Sequence, residues 1–148
     1  MEKQTERTYR LDRVTELEFK AADNISRLDI IKDNIRYQYS TVTKLRRETD
    51  DIEICASLVY YNIESQLFSL KEAFVFQVDA LSEIVEFNEQ KREIIFKSDP
   101  IPTFLDIVCG TMRGILIEKA KGTAFEPFPL PLMNIQMLMD MNTFEIFW

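Results

Sequence analysis

The sequence predicts one α+β domain over residues 1–148, with an antiparallel sheet of four strands, or slightly more, followed by two C-terminal helices packed on one face. Three observations lead to this fold class. The length suits a single domain with a buried core. Apolar residues alternate at period two through the first half, whereas the last third carries a stripe at helical spacing. Strands that precede helices are typical of helices layered on an antiparallel sheet.

The first three strands are predicted from alternation. Residues 9–19 alternate with a slip in phase between Arg13 and Leu17, which predicts a bulge or kink. Residues 35–45 place Tyr, Thr and Leu at every second position, a composition typical of strands. Residues 52–63 carry apolar side chains on both faces, so we expect this strand to be central.

The connections and the remaining strands are less regular. Residues 23–33 space their apolar side chains as a helical turn does, and they predict a connection. Residues 64–72 are predicted to reverse the chain, and residues 73–81 to form the fourth strand. The apolar triplet 94–96 is a candidate for one more short strand.

A long helix is predicted after Pro100 and Pro102. Lys119 and Lys121 in its last turn and Gly122 just past it are typical of a helix end. Its apolar stripe consists of Phe104, Val108, Met112, Ile115 and Leu116.

The chain after the long helix divides into three parts. Residues 125–131 contain three alternating prolines, which exclude a helix. Residues 132–141 predict a short helix that is apolar nearly all round, and residues 144–148 are largely apolar.

Charge and hydropathy exclude several partners. The net charge of −7 argues against nucleic acid and against an anionic membrane surface, because both attract a surplus of Lys and Arg. The longest apolar run, residues 104–117, is too short to span a bilayer and contains Asp106 and Arg113, so no membrane insertion is expected. The polar N-terminus lacks the apolar core of a signal peptide, which favours a cytoplasmic location.

The residue inventory points away from catalysis. The chain has no histidine and only three glycines, which do not cluster into a phosphate-binding loop. Cys55 and Cys109 stand apart, without a metal-binding or disulfide spacing. We therefore expect no catalytic residue, no metal site and no cofactor. A carboxylate-dependent enzyme or small-ligand binder is the remaining alternative, and it requires a deep pocket with convergent polar groups.

Aromatic and methionine side chains suggest an apolar groove for a polypeptide. Methionine adapts to many partners, and four methionines lie close together near the C-terminus. The alternative interpretation is that these side chains fill the core, since aromatic residues on a sheet face usually do. The candidate groove residues are Tyr37, Tyr39, Tyr60, Phe74, Met133, Met137 and Met141.

A second candidate surface lies on the long helix. Gly110 and Gly114 are four residues apart and share a face, with the small Thr111 beside them. Small residues permit close approach of another helix, so this face is a candidate oligomer interface. Chance occurrence is the alternative, because the G-x-x-x-G spacing is a weak signal outside membranes.

Three segments, which begin at Tyr9, Pro102 and Gly122, resemble in sequence and in order segments of SecB, the protein-export chaperone family. The segment from Tyr9 to Phe19 resembles the opening strand of that family, with its aromatic–x–apolar–x–Arg–apolar start. The segment that begins at Pro102 resembles the entry to its long helix. The segment from Gly122 to Asn134, with Phe125, Pro127, Leu130 and Pro131, is similar to the one that leads to its last helix.

The resemblance implies a tetrameric, ATP-independent holdase with a long apolar groove for unfolded chains. The implied partners are unfolded polypeptide clients, further copies of the chain and a SecA-like export motor. The apolar end of this chain differs from the polar tail of the family, so a chaperone dedicated to a toxin–antitoxin system fits equally well. A scaffold protein that binds one fixed partner is the alternative function.

Overall fold

The computed structural model describes residues 9–22, 35–62, 66–126 and 130–148, and it is an α+β fold. Its strands are β1 (Tyr9–Ala21), β2 (Arg36–Arg46), β3 (Asp51–Tyr61), β4 (Gln66–Val78), β5 (Val85–Asn88), β6 (Glu93–Phe96) and β7 (Asn142–Phe147). Its helices are α1 (Leu81–Ile84), α2 (Ile101–Ala120) and α3 (Ile135–Asp140). The predicted connection at residues 23–33 lies outside the described residues, and so do residues 127–129 of the proline-rich loop.

The main sheet has five strands in the order β1-β4-β3-β2-β7, and β5 pairs with β6 in a separate hairpin. Strand β3 is central, as the two apolar faces of residues 52–63 predict. The pairs within β1-β4-β3-β2 are antiparallel, whereas β7 runs parallel to β2. The prediction of a purely antiparallel sheet is therefore wrong, because the apolar end of the chain adds a strand that the sequence pattern did not indicate.

Strand β4 is longer than the sequence pattern predicts. It begins at Gln66, so the predicted reversal at residues 64–72 is wrong for most of its length. Its side chains are buried on both sides, from Leu67 and Phe68 to Val75 and Phe76. A strand that is covered on both faces lacks the alternation of apolar and polar residues that is typical of a half-exposed strand. The sequence pattern therefore did not indicate the first half of β4.

The strands predicted at residues 9–19, 35–45 and 94–96 are confirmed, whereas the one predicted at residues 73–81 ends at Val78. Strand β1 has register shifts between Leu11 and Arg13 and between Glu16 and Glu18, which bracket the predicted slip in phase. The triplet 94–96 lies in β6. A bulged edge strand twists away from further pairing, and β1 forms the edge opposite β7.

Helix α2 covers one face of the sheet. It begins with a proline in its first turn and is followed by Gly122 at a positive φ of 76°, the backbone conformation that glycine tolerates best. Phe104 stacks on Phe76 of β4 with ring centroids 4.1 Å apart and meets Tyr9 of β1 edge-on at 5.4 Å. The buried stripe continues through Val108, Met112 and Leu116.

Helix α3 is shorter than residues 132–141 predict. It has six residues, and its main contacts are with α2 rather than with the sheet. Of the two predicted C-terminal helices, only α2 therefore packs directly on the sheet face over a substantial length. No helix among the described residues combines the length and hydropathy needed to cross a membrane.

Candidate polypeptide-binding surface

Helix α3 exposes apolar side chains to solvent. Leu138 is 2% exposed and anchors the helix, whereas Ile135 is 52% exposed and Met137 is 44% exposed. Leu132, just before the helix, is 87% exposed. An exposed apolar side chain that does not pack in the core of its own chain is a candidate contact for another chain. We call Leu132, Met133, Ile135 and Met137 the α3 patch.

The segment that carries the α3 patch is fixed by polar contacts. Arg113 of α2 donates two hydrogen bonds to main-chain oxygens, from Nε to Leu130 at 3.0 Å and from Nη2 to Pro131 at 2.9 Å. Asn134 then caps α3, because its Oδ1 accepts a hydrogen bond from the Met137 amide at 2.8 Å. The patch is therefore presented by an ordered support, which lowers the entropic cost of binding.

The chain passes from α3 into β7 at the edge of the sheet. The main-chain oxygen of Met141 accepts a hydrogen bond from the Thr41 amide of β2 at 3.2 Å. The Asn142 Oδ1 atom accepts hydrogen bonds from the hydroxyls of Thr41 and Thr43, each at 2.8 Å. This junction joins the C-terminal end of α3 to the outer edge of β2.

Beyond the junction, β7 adds partly exposed aromatic side chains. Phe144 and Phe147 are each 40% exposed. Phe144 lies near Phe96 of the β5–β6 hairpin, and the guanidinium of Arg46 lies 4.7 Å from the centre of the Phe147 ring. Phe144 and Phe147 therefore expose apolar surface on opposite faces of β7.

The predicted groove residues divide into two groups. Tyr37 and Met137 are exposed, and Met133 and Met141 are half-buried against the core. The others, Tyr39, Tyr60 and Phe74, are at most 4% exposed.

The prediction that Tyr39, Tyr60 and Phe74 contact a client is therefore wrong for this conformation. These three side chains lie on the same face of the sheet, which is covered by α2 and by the segment that follows α2. Tyr60 stacks on Phe125 at 5.6 Å, and its burial raises the pKa of its hydroxyl to about 12. Burial likewise raises the pKa of Tyr39. The period-two pattern places these residues on one face of the sheet, but it does not indicate which of the two faces the helix covers.

The predicted oligomer interface is an open surface in the single chain. Gly110 and Gly114 are exposed, and a Cβ added at either position would have no heavy atom within 4 Å. Thr111 is half-buried, and its hydroxyl donates to the main-chain oxygen of Ile107 at 2.8 Å. Ile107 is 41% exposed and Ile117 is 53% exposed. Their spacing places them on the glycine side of α2. We call Ile107, Gly110, Gly114 and Ile117 the α2 stripe.

A group of charges joins α2 to the edge of the sheet. The Lys119 Nζ atom lies 2.6 Å from the Glu16 Oε1 atom, and Glu16 pairs directly with Glu72 across β1 and β4. Glu72 is 4% exposed. Its burial, and then the charge of Glu16, raise its pKa, and Lys119 offsets part of this rise. The arrangement connects helix and sheet through one partly exposed ion pair and one buried carboxyl.

Sites for small ligands or metals find little support. No group of three or more metal-ligating side chains occurs among the residues that the structure describes. On the sheet face away from α2, Arg13, Arg46 and Glu53 border a shallow depression of about 200 Å³. Arg46 Nη1 and Glu53 Oε2 are 3.2 Å apart and neutralise each other. Burial raises the pKa of both Cys55 and Cys109, which disfavours the reactive thiolate form.

Comparison with known proteins gives a likeness in fold only. No protein-family model matches the sequence, and no curated protein matches it. Among solved structures, the chain is similar to the SecB-like chaperone Rv1957 of Mycobacterium tuberculosis, in complex with a ChAD peptide from the Rv1956 HigA1 antitoxin. The TM-score is 0.53 at 10% sequence identity, and the likeness covers 85% of this chain and 90% of that one. The α+β fold described above is therefore SecB-like.

Proposed function

We propose that this chain binds polypeptides as an ATP-independent chaperone of the holdase type, without catalysis. The observation that carries the proposal is the α3 patch, which holds Leu132, Ile135 and Met137 in solvent on a fixed support. Contacts of this kind bury apolar surface and demand little of the partner's sequence, as a holdase requires. The structural neighbour with the SecB-like fold is itself bound to a peptide, which supports the same role here.

The proposed clients are unfolded or pre-export chains, and an antitoxin is a further candidate. A SecA-like motor, a dimeric or tetrameric assembly and a cytoplasmic location belong to the same proposal. The neighbour with a bound antitoxin peptide favours a dedicated client over a general export role. An acidic surface, from the net charge of −7, also favours clients that carry basic residues beside apolar ones.

The test is suppression of aggregation. A chemically unfolded client is diluted into buffer with and without an equimolar amount of the full chain, without nucleotide, and light scattering is followed. We expect the protein to delay or prevent the rise in scattering. An equimolar acidic protein of similar size without an apolar patch is the control for non-specific effects. Scattering that rises equally fast in both samples would rule out the holdase function.

The alternative is a SecB-like scaffold that binds one fixed partner. The fixed support of the α3 patch favours it, because a rigid surface suits one complementary partner. Affinity capture with the full chain, followed by titration of the captured proteins, separates the two functions. One partner bound at a fixed stoichiometry, with no binding of generic unfolded chains, would favour the scaffold.

A further inference from the structure

Among the strands that the structure describes, β7 has only one neighbour, β2. It lies outside β2 and pairs with residues 41–46, while its other edge has no strand partner among the described residues. It is also parallel to its neighbour, whereas the other described strand pairs are antiparallel. Parallel pairing is slightly less stable per residue than the antiparallel pairing of the other strands.

The side chains of β7 confirm that its attachment is partial. Thr143, Phe144, Glu145 and Phe147 are exposed. The polar anchor is Asn142, whose Oδ1 atom serves the hydroxyls of Thr41 and Thr43. The Asn142 Nδ2 atom is buried and has no hydrogen-bond partner among the described residues. A buried donor without a partner lowers the stability of the attachment.

Aromatic contacts join β7 and Trp148 to the β5–β6 hairpin. Phe144 lies 6.0 Å from Phe96, and Trp148 lies 6.1 Å from Phe87, between ring centroids, so both meet the β5–β6 hairpin. The Arg92 guanidinium lies 5.4 Å from the centre of the Trp148 ring. Alternate residues of a strand share a face, so Asn142, Phe144, Ile146 and Trp148 define the pattern amide–x–aromatic–x–apolar–x–aromatic.

We propose that β7 is an internal ligand of a strand-accepting edge, and that an extended polypeptide segment with this pattern displaces it and pairs with β2. The inference rests on the proposed function and names its partner chemistry and binding mode. Exchange of one strand for another preserves the number of main-chain hydrogen bonds, so side-chain fit decides the outcome. A tethered strand competes at an effective concentration on the order of mM, so β7 rejects weakly matching segments.

A reversible lock tests the displacement. Lys44 of β2 and Glu145 of β7 are paired across the strands. Their Cα atoms are therefore about 4.8 Å apart, within the range that a disulfide spans. The full chain with Lys44→Cys and Glu145→Cys, in a Cys55→Ser background that removes the nearby native thiol, is compared oxidised and reduced. The probe is a fluorescent synthetic peptide with the sequence of residues 141–148, followed by anisotropy while the protein is titrated to roughly millimolar concentration, where the peptide can compete with the tethered strand.

We expect the reduced protein to bind the peptide and the oxidised protein to bind it at least about tenfold more weakly. Asn142→Ala, which weakens β7, should strengthen binding of the peptide, whereas Thr143→Ala, on the opposite face of the strand, should not. Equal binding by the oxidised and reduced forms, or no binding by either form or by Asn142→Ala, would overturn the displacement. If the locked form still suppresses aggregation of an unfolded client, the proposed function stands and only this binding mode fails. If peptide exchange occurs but no client is protected, the proposed function fails.

Discussion

Met133 and Met137 lie on the same short segment but differ in their surroundings. Met133 packs partly against the core, whereas Met137 is 44% exposed on the free side of α3. Between them, the capping contact of Asn134 fixes the helix start. The exposed side chain of Met137 is not part of the described core, so replacing it tests binding rather than folding.

Glutamate at both methionine positions should weaken client binding. A charge on the α3 patch must be desolvated when an apolar segment binds, so we expect Met133→Glu with Met137→Glu to lower affinity about tenfold, or about 1.4 kcal/mol. The measurement is fluorescence anisotropy of a labelled unfolded client. Ser98→Glu, an exposed position outside the patch, is the matched charge control. Loss of the circular dichroism signal in the double variant would show instead that these side chains belong to the core.

Glu72 should make the stability of the protein fall as pH rises. Its pKa is raised in the folded chain by burial and by Glu16. The folded state therefore holds this proton more tightly than the unfolded state does, so stability is lost as pH rises from the ordinary glutamate pKa through the raised pKa. We expect Glu72→Gln to remove this decline and to be more stable than wild type at neutral and basic pH. The measurement is the free energy of unfolding in urea across pH. Glu86→Gln, on an exposed side chain, should follow the wild-type curve.

At the scale of elements, the attachment of α2 depends on aromatic packing at its first turn. Phe104 stacks on Phe76 and meets Tyr9, so it joins the helix to two strands at once. Its side chain is 2% exposed, and truncation to alanine leaves a cavity there. We expect Phe104→Ala to lower the free energy of unfolding by about 3–5 kcal/mol, and Thr103→Ala, next to it and exposed, to change it by under about 0.5 kcal/mol. Denaturant unfolding measures both. A loss under about 1 kcal/mol for Phe104→Ala would contradict this role.

The sequence predicted those elements in which apolar residues recur at one regular spacing and in which one face is buried. Strands β2 and β3 have a clean alternation, and α2 has a stripe with a glycine at its end. The first half of β4 escaped prediction because burial on both faces removes alternation. Strand β7 escaped because its attachment depends on Asn142, Thr41 and Thr43, which are distant in sequence.

The candidate site was predicted in part for the same reason. The sequence indicated that the C-terminal methionines are surplus to a small core, and Met137 is exposed. It did not indicate that Tyr39, Tyr60 and Phe74 share the covered face, because the choice of face depends on where α2 packs. Tertiary placement of one helix therefore decides which half of an aromatic sheet is available to a partner.

At the scale of the whole molecule, the α2 stripe is an apolar surface on the side of α2 that does not pack on the sheet. Ile107 and Ile117 border the two glycines over about three turns of the helix, and Cβ atoms added at the glycines would meet no described atom within 4 Å beyond the neighbouring backbone of α2. Symmetric homo-oligomers pair identical patches, and small residues at their centre allow two helices to approach closely. The stripe is thus a candidate for contact between two copies of α2.

Gly114→Leu should lower the assembly state without unfolding the chain. The position has open space, and leucine favours a helix over glycine by about 0.5–1 kcal/mol, so the monomer should be as stable as wild type or more so. Sedimentation velocity at micromolar concentration measures the assembly, and thermal unfolding checks the fold. Lys91→Leu, an exposed turn position away from α2, controls for the addition of an exposed leucine and should sediment as wild type does. A wild-type protein that sediments as a monomer, or a Gly114→Leu protein with the wild-type assembly state, would exclude the stripe as the interface.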